Sequence, residues 1–330
     1  MNPTSPSPQN SHTPEEIALR AGLEFPQLLL PDPGQLFADR AVRLRQLAAN
    51  HALRDYVMML ALVCEAQHAR SQQHPAPTLP TPAQFSAAME AGEPPLEATG
   101  WPRDASWRSE LRALLQQVLE QMPGDSPAGA TVRAVQALSD ETLEQQADRL
   151  LAGITLGLDM AAAPLIAAGL QLHFTQLAAA IDPEQAKTIP VPAQASRCPC
   201  CGSLPVASVA RVGGKQDGQR YLHCTLCNTQ WHQPRIQCTH CGSTDGIHYE
   251  SLQPLADAQA PQQRAAVEAE ACDGCHHYLK IMHQSRDVHV EPVADDLATL
   301  TLDLLVSEAG FNRHGTNMLL LFGDSDPGDS

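Results

Sequence analysis

Between residues 33 and 180 the apolar positions recur at helical spacing. Phe37, Ala41, Leu44 and Ala48 share one face behind Asp32-Pro33, which reads as an N-cap followed by proline at the first helical position. Tyr56, Leu60 and Val63, with Val57, Ala61 and Cys64 beside them, predict a second helix and place Cys64 in a core. Residues 71–104 carry seven prolines and predict a loop or short helices. Trp107, Leu111, Leu114, Val118 and Met122 predict the next long helix. Ser139 is a cap for a helix reaching Leu151, with Asp140 and Glu141 in the first turn, where the helix dipole favours anions. The Ala-rich run 160–180 predicts a buried helix whose first turn must accommodate Pro164, and Asp182-Pro183 ends it. Residues 187–196, KTIPVPAQAS, read as a linker.

Past residue 198 the pattern shortens to strands. Segments 204–212 and 219–223 flank the turn GGKQDG, a hairpin signal, and 246–252 with 265–271 predict a second pair around a longer loop. Tyr221, Tyr249, Tyr278 and Trp231 supply the large side chains that small modules need. A last helix is predicted from Pro292 through Val293, Leu297, Leu300 and Leu304 to a stop at Gly310. The fold expected is α+β: an all-α N-terminal domain, two small rubredoxin-like or zinc-ribbon β modules, and a C-terminal helix. The expected boundaries are a disordered segment at 1–22, a helical domain at 23–187, ribbons at 188–234 and 235–290, and a helix with acidic tail at 291–330.

Cysteine placement adds chemistry to that outline. Four Cys-x-x-Cys pairs, Cys198/Cys201, Cys224/Cys227, Cys238/Cys241 and Cys272/Cys275, fall within 78 residues and use eight of the ten cysteines. Two thiolates three residues apart can turn onto one ion, and two such pairs complete a tetrahedron. Between Cys201 and Cys224 lie 22 residues, and between Cys241 and Cys272 lie 30, each enough for a hairpin that returns to its start. Only 10 separate Cys227 from Cys238, a connector length. The spacing therefore predicts one site at 198/201/224/227 and another at 238/241/272/275, the swapped pairing being the alternative. An all-thiolate set suits zinc and mononuclear iron alike. Gly202, Gly242 and Gly274 are read as permitting the tight backbone that points amides at sulfur. Zinc would leave the sites a structural role; iron would open a redox or sensing one. Cys200, between two ligands, reads as an outward-facing non-ligand, with a spare ligand or a redox-active thiol as the alternatives. His223, His232, His240, His276 and His277 read as surface residues or as neighbours supporting the ligands. No nucleophile–base set, P-loop or dinucleotide fingerprint is evident.

Charge limits the partners. The net charge is -16, made of -9 over 1–195 (12 basic, 21 acidic), 0 over 196–290 (8 and 8) and -7 over 291–330 (1 and 8). A neutral ribbon region argues against the zinc-ribbon alternative of nucleic-acid binding, which needs a basic patch. The acidic remainder suits a basic partner segment such as a twin-arginine export signal. The start MNPTSPSPQNSHTP lacks the basic and apolar regions of a secretory signal, and the apolar run 160–170 is too short to span a bilayer, so no membrane insertion and a cytoplasmic location are expected.

The residues around the pairs carry a resemblance. CPCCGSLPVAS, RYLHCTLCNTQWH, RIQCTHCGS, HYESL, AEACDGCHHYLKI and VADDLATLTLD together resemble the formate dehydrogenase accessory protein family, FdhE, densely over 197–311, and FPQLLLP near 25–31 extends it. Cys200 and the long proline-rich loop at 71–104 are departures; the eight paired cysteines are not. The resemblance implies a cytoplasmic, non-enzymatic assembly factor for respiratory formate dehydrogenase that contacts its catalytic subunit. It also implies two mononuclear metal ions, iron favoured and zinc the alternative, on Cys198, Cys201, Cys224, Cys227, Cys238, Cys241, Cys272 and Cys275. A homodimer is compatible with this reading.

Overall fold

The computed structural model describes residues 25–49, 51–73, 77–213, 215, 217–252 and 264–321. The readings of 1–22 and of the acidic chain end, and Gly214 and Gln216 of the first hairpin turn, lie outside the described residues.

A helical layer comes first: α1 (Leu36–Ala48), α2 (Arg54–Ser71), α3 (Pro82–Ala91), α4 (Ser106–Gln121), α5 (Pro127–Gln136), α6 (Asp140–Ala152), α7 (Ala163–Ala179) and the short α8 (Pro183–Thr188). The apolar faces explain the packing. α7 is buried along almost its whole length, and α2, α4 and α6 pack around it. Gly169 permits a close crossing: a Cβ there would stand 3.0 Å from the Leu111 side chain of α4. Pro164 sits in the first turn of α7, where its missing N–H costs nothing.

Caps set several boundaries. Ser139 accepts from the Thr142 amide, and α6 ends at Gly153 in the left-handed region. α3 is the short helix of the proline-rich stretch, opened by a capping box between Thr81 and Gln84. α5 has no counterpart in the sequence reading, although Ser126-Pro127 is an ordinary start signal and Ser126 accepts from Gly129 N. Asp32 does not cap α1. Its carboxylate takes the Gly34 amide at 2.9 Å and its carbonyl takes Leu36 N at 3.0 Å, so a turn precedes the helix and the first helical residue is Leu36. The expected last helix is two, α9 (Pro292–Ala298) and α10 (Leu300–Glu308). Thr299 interrupts it, its hydroxyl donating to the Asp295 and Asp296 carbonyls at 2.7 and 3.3 Å.

The strands are β1 (Leu28–Leu29), β2 (Pro205–Ala210), β3 (Arg220–Cys224), β4 (Gln230–His232), β5 (Ile247–Glu250), β6 (Val267–Cys272), β7 (His277–His283) and β8 (Asn312–Arg313). Each ribbon is a cysteine pair, a hairpin, a second pair and one more strand, so the order of β2, β3, β4 is repeated in β5, β6, β7. The two ribbons are not separate, however. One sheet runs β1-β4-β3-β2-β7-β6-β5, and its middle is a parallel pairing of Ser208 with Ile281 and Val209 with Met282. β8 pairs with the opening residues of β7. The FPQLLLP segment adds β1 to the first ribbon, Leu28 opposite Trp231.

Buried ions stitch the layers. Lys280 of β7 has no exposed side-chain surface and lies 2.5 Å from Asp303 and 3.3 Å from Asp296, and Arg313 reaches Asp296 at 2.7 Å. Arg220 of β3 meets Glu270 of β6 at 2.8 Å, across the join between ribbons.

Candidate metal centres

The eight paired cysteines gather into two groups, Cys198/Cys201/Cys224/Cys227 and Cys238/Cys241/Cys272/Cys275, each with its sulfurs within 4.8 Å of one another. This is the grouping the spacing favours, not the swapped one. In the first, Cys198 Sγ lies 3.5 Å from Cys227 Sγ and Cys201 Sγ lies 3.4 Å from Cys224 Sγ. In the second the matching separations, Cys238 to Cys275 and Cys241 to Cys272, are 3.6 and 3.8 Å. Four sulfurs held about 2.3 Å from a central ion in a tetrahedron stand about 3.8 Å apart. Both groups therefore fit a single four-coordinate ion such as zinc or iron.

The local backbone explains how each pair closes. Gly202 N donates to Cys198 O at 2.8 Å, Gly242 N to Cys238 O at 2.9 Å and His276 N to Cys272 O at 2.9 Å. In all four pairs the residue after the second cysteine is left-handed: Gly202 at φ 75°, Asn228 at 58°, Gly242 at 75° and His276 at 53°. Gly274 is not among the residues with positive φ. It precedes the second cysteine of its pair, where the turn needs no left-handed residue; His276 takes that strain instead. Amides do point at sulfur: Leu226 N and Cys227 N both donate to Cys224 Sγ at 3.4 Å.

Electrostatics also suit a cation. Burial leads in pushing Cys198 and Cys227 well above the ordinary thiol value; neighbouring thiols add to it at Cys198, while at Cys227 the Cys198 contact opposes it and those with Cys201 and Cys224 add to it. Burial opposes ionisation of Cys201 too, but hydrogen bonds from Cys198, Cys224, Cys227 and Ser203 outweigh it and hold that thiol well below its ordinary value. In the second group the Ser243 amide leads in holding Cys241 low. A set of thiols with one readily ionised member and crowded neighbours gains most from a central positive ion, which ionises the rest.

The helical layer closes over the first group. Leu96 N and Ala98 N donate to the Cys200 and Cys201 carbonyls at 2.9 and 3.0 Å, and Gln171 Nε2 to Thr225 O at 2.7 Å. Asn228 is the hub. Its Oδ1 accepts from Arg40 at 2.8 Å and lies 3.0 Å from His223 Nε2, while its Nδ2 donates to Thr175 at 2.8 Å. Arg40, fully buried on α1, also donates to Glu291 at 2.9 Å, and Glu291 caps α9 through the Val293 and Ala294 amides. One buried guanidinium thus ties α1, α9 and the turn after Cys227. The sequence held a signal for it: Arg40 falls among Phe37, Ala41 and Leu44 on an otherwise apolar face.

Cys200 differs from its expected placement. It is 0% exposed, and the segment after α3 lies against it, Leu96 N donating to its carbonyl at 2.9 Å. It belongs to neither sulfur group. A redox-active thiol needs access that this position lacks. Cys64 is buried in the helical core as expected, and burial pushes its thiol up to about 12. Of the histidines, His223 and His232 are buried within the sheet, and His240 and His277 stand beside the second group. No helix among the described residues is long and apolar enough to cross a membrane.

Known proteins are similar to this chain over most of its length. Family models match in three consecutive blocks: "FdhE, N-terminal" over residues 25–190, "FdhE, central domain" over 197–235 and "FdhE, C-terminal domain" over 236–320. The chain is 39% identical over 312 residues to a Protein FdhE homolog of Cronobacter sakazakii, covering 94% of this chain and 96% of that one. It is 38% identical over 302 residues to Protein FdhE of Salmonella newport, covering 92% and 93%. The crystal structure of the FdhE protein from Pseudomonas aeruginosa superposes with a TM-score of 0.75 at 32% identity, over 90% of this chain and all of that one.

Proposed function

The chain belongs to the FdhE family, and on that premise we propose that it is a non-catalytic accessory factor for formate dehydrogenase. In this reading it contacts the catalytic subunit in the cytoplasm during assembly. The eight cysteines named above hold two mononuclear ions, iron favoured over zinc. The observation that carries the reading is the coincidence of a family match along the chain with two complete four-sulfur groups. Bound iron would supply a one-electron couple, whereas zinc would supply cross-links alone. The chain's own part is to present the thiolates, aim amides at them and, through Asn228 and Arg40, fix the first group to the helical layer.

The test has two arms. Tagged protein purified without oxygen should retain a formate dehydrogenase catalytic subunit and contain two metal equivalents. In a strain lacking the factor, the wild-type gene should restore formate dehydrogenase activity and a Cys224→Ser/Cys227→Ser variant should not. Full activity with that variant would remove the metal groups from the role; failure to retain the subunit would remove the assembly reading.

A further inference from the structure

The two sulfur groups differ in access. Every cysteine of the first is at most 1% exposed. In the second, Cys272 is 1% and Cys238 6% exposed, Cys275 is half-buried and Cys241 is open to solvent. The first group lies beneath the helical layer; Cys241 is exposed.

Beside that open side stands a second donor set. Ring nitrogens of His240 and His277 and the Cys275 sulfur lie within 4.8 Å of one another. The two imidazoles stack at 3.7 Å and 4°, so one ring, the exposed His240, must turn out of the stack before both nitrogens can face one ion, and His314 meets His240 edge-on at 5.2 Å. His277 Nδ1 lies 2.8 Å from the Cys275 carbonyl. A carbonyl can only accept, so Nδ1 carries a proton, and the nitrogen of the neutral ring left to meet an ion is Nε2. His314 Nε2 faces the Ser196 carbonyl at 3.2 Å, which frees its Nδ1 in the same way. Orientation of one ring nitrogen by a carbonyl, leaving the other unprotonated, is how proteins prepare histidine for a metal.

We propose that the second group exchanges its metal while the first retains it, and that His240, His277 and Cys275 form a two-nitrogen, one-sulfur set through which a divalent cation enters and leaves. The inference rests on the metal reading above. Cys275 belongs to both sets, so it can keep its bond while imidazole nitrogens take the places of departing thiolates, Cys241 first. Each freed thiolate takes a proton from water, and nothing is oxidised or reduced.

The experiment uses the full chain loaded with two equivalents of Zn(II) and an excess of a chromogenic chelator. One equivalent should leave quickly, and the other at least about tenfold more slowly. A Cys238→Ser/Cys241→Ser variant should lack the fast equivalent. His240→Phe/His277→Phe keeps a stacked aromatic pair without nitrogens and should slow the fast phase by about tenfold, the scale on which such neighbouring groups act. His240→Phe alone, at an exposed position, should give part of that effect with the fold intact. Release of both equivalents at one rate, or loss of the slow equivalent in the Cys238/Cys241 variant, overturns the exchange. An unchanged fast phase in both phenylalanine variants overturns the histidine set. A chain that binds no stoichiometric metal overturns the preceding reading and this one with it.

Discussion

Arg40→Met is the sharpest test of how the helical layer holds the first sulfur group. Methionine keeps most of the stem volume, so the loss isolates the charge and its hydrogen bonds. Glu291, buried beside it, would become an uncompensated carboxylate. Breaking a buried pair from one side costs about 3–5 kcal/mol. Glu291 keeps the Val293 and Ala294 amides at 3.1 and 2.7 Å, which places the cost near the lower end, about 3 kcal/mol. Asn228 loses one of its partners for about 1 kcal/mol more. Denaturant unfolding should therefore show a loss of about 4 kcal/mol. Adding Glu291→Gln, whose amide oxygen can still cap α9 without a charge, should recover about 2 kcal/mol. The pH dependence gives an independent check. Burial already raises the Glu291 carboxyl, with Arg40 the main opposing influence. Removing Arg40 raises it further. A carboxyl that binds its proton more tightly in the folded state makes stability fall as pH rises from its unfolded value, about 4.3, through its folded value. The deficit of Arg40→Met relative to wild type should therefore be larger at pH 8 than at pH 5. A loss below about 1 kcal/mol, no recovery in the double variant, or a deficit that shrinks with rising pH would refute the reasoning.

Two further outcomes follow from the site geometry. Asn228→Gly keeps the left-handed backbone but loses the side-chain bonds, whereas Asn228→Ala loses both. The alanine variant should be the less stable by about 1 kcal/mol in denaturant unfolding, and equal stability would show that the turn tolerates either residue. Alkylation of folded, metal-loaded protein followed by mass spectrometry should leave Cys64 and Cys200 unmodified, and rapid labelling of either would contradict its burial.

Much of the site was legible because metal chemistry is local in sequence. Paired cysteines at fixed spacing, separated by hairpin-length intervals, left few ways to close two tetrahedra. The long helices were legible for the same reason: Trp107 to Val118 and the run around Ile166 announce a buried face within a few turns. The single sheet was not legible. Its central pairing joins Ser208 to Ile281, residues with no local signal for each other, and β7 hides among histidines and a lysine. Lys280 reads as surface until Asp296 and Asp303 are folded around it. α5 was missed although Ser126-Pro127 announced it, and the break at Thr299 was missed because the apolar spacing runs straight through it. The histidine set at 240 and 277 needed the fold, since 36 residues of chain separate rings that stack.

The parallel join between β2 and β7 has a kinetic consequence. An isolated ribbon closed by one ion commonly unravels when the ion goes, and rebinding must then bear the whole entropy of refolding. Here the strand leaving the second sulfur group is pinned at Ile281–His283 to a neighbour whose own cysteines are sealed beneath helices. The vacated loops would remain a preorganised chelate, with capture limited by encounter and dehydration of the ion instead of by folding. If the second group exchanges its ion as proposed, the shared sheet would make one half of a duplicated unit the anchor and leave the other free to cycle.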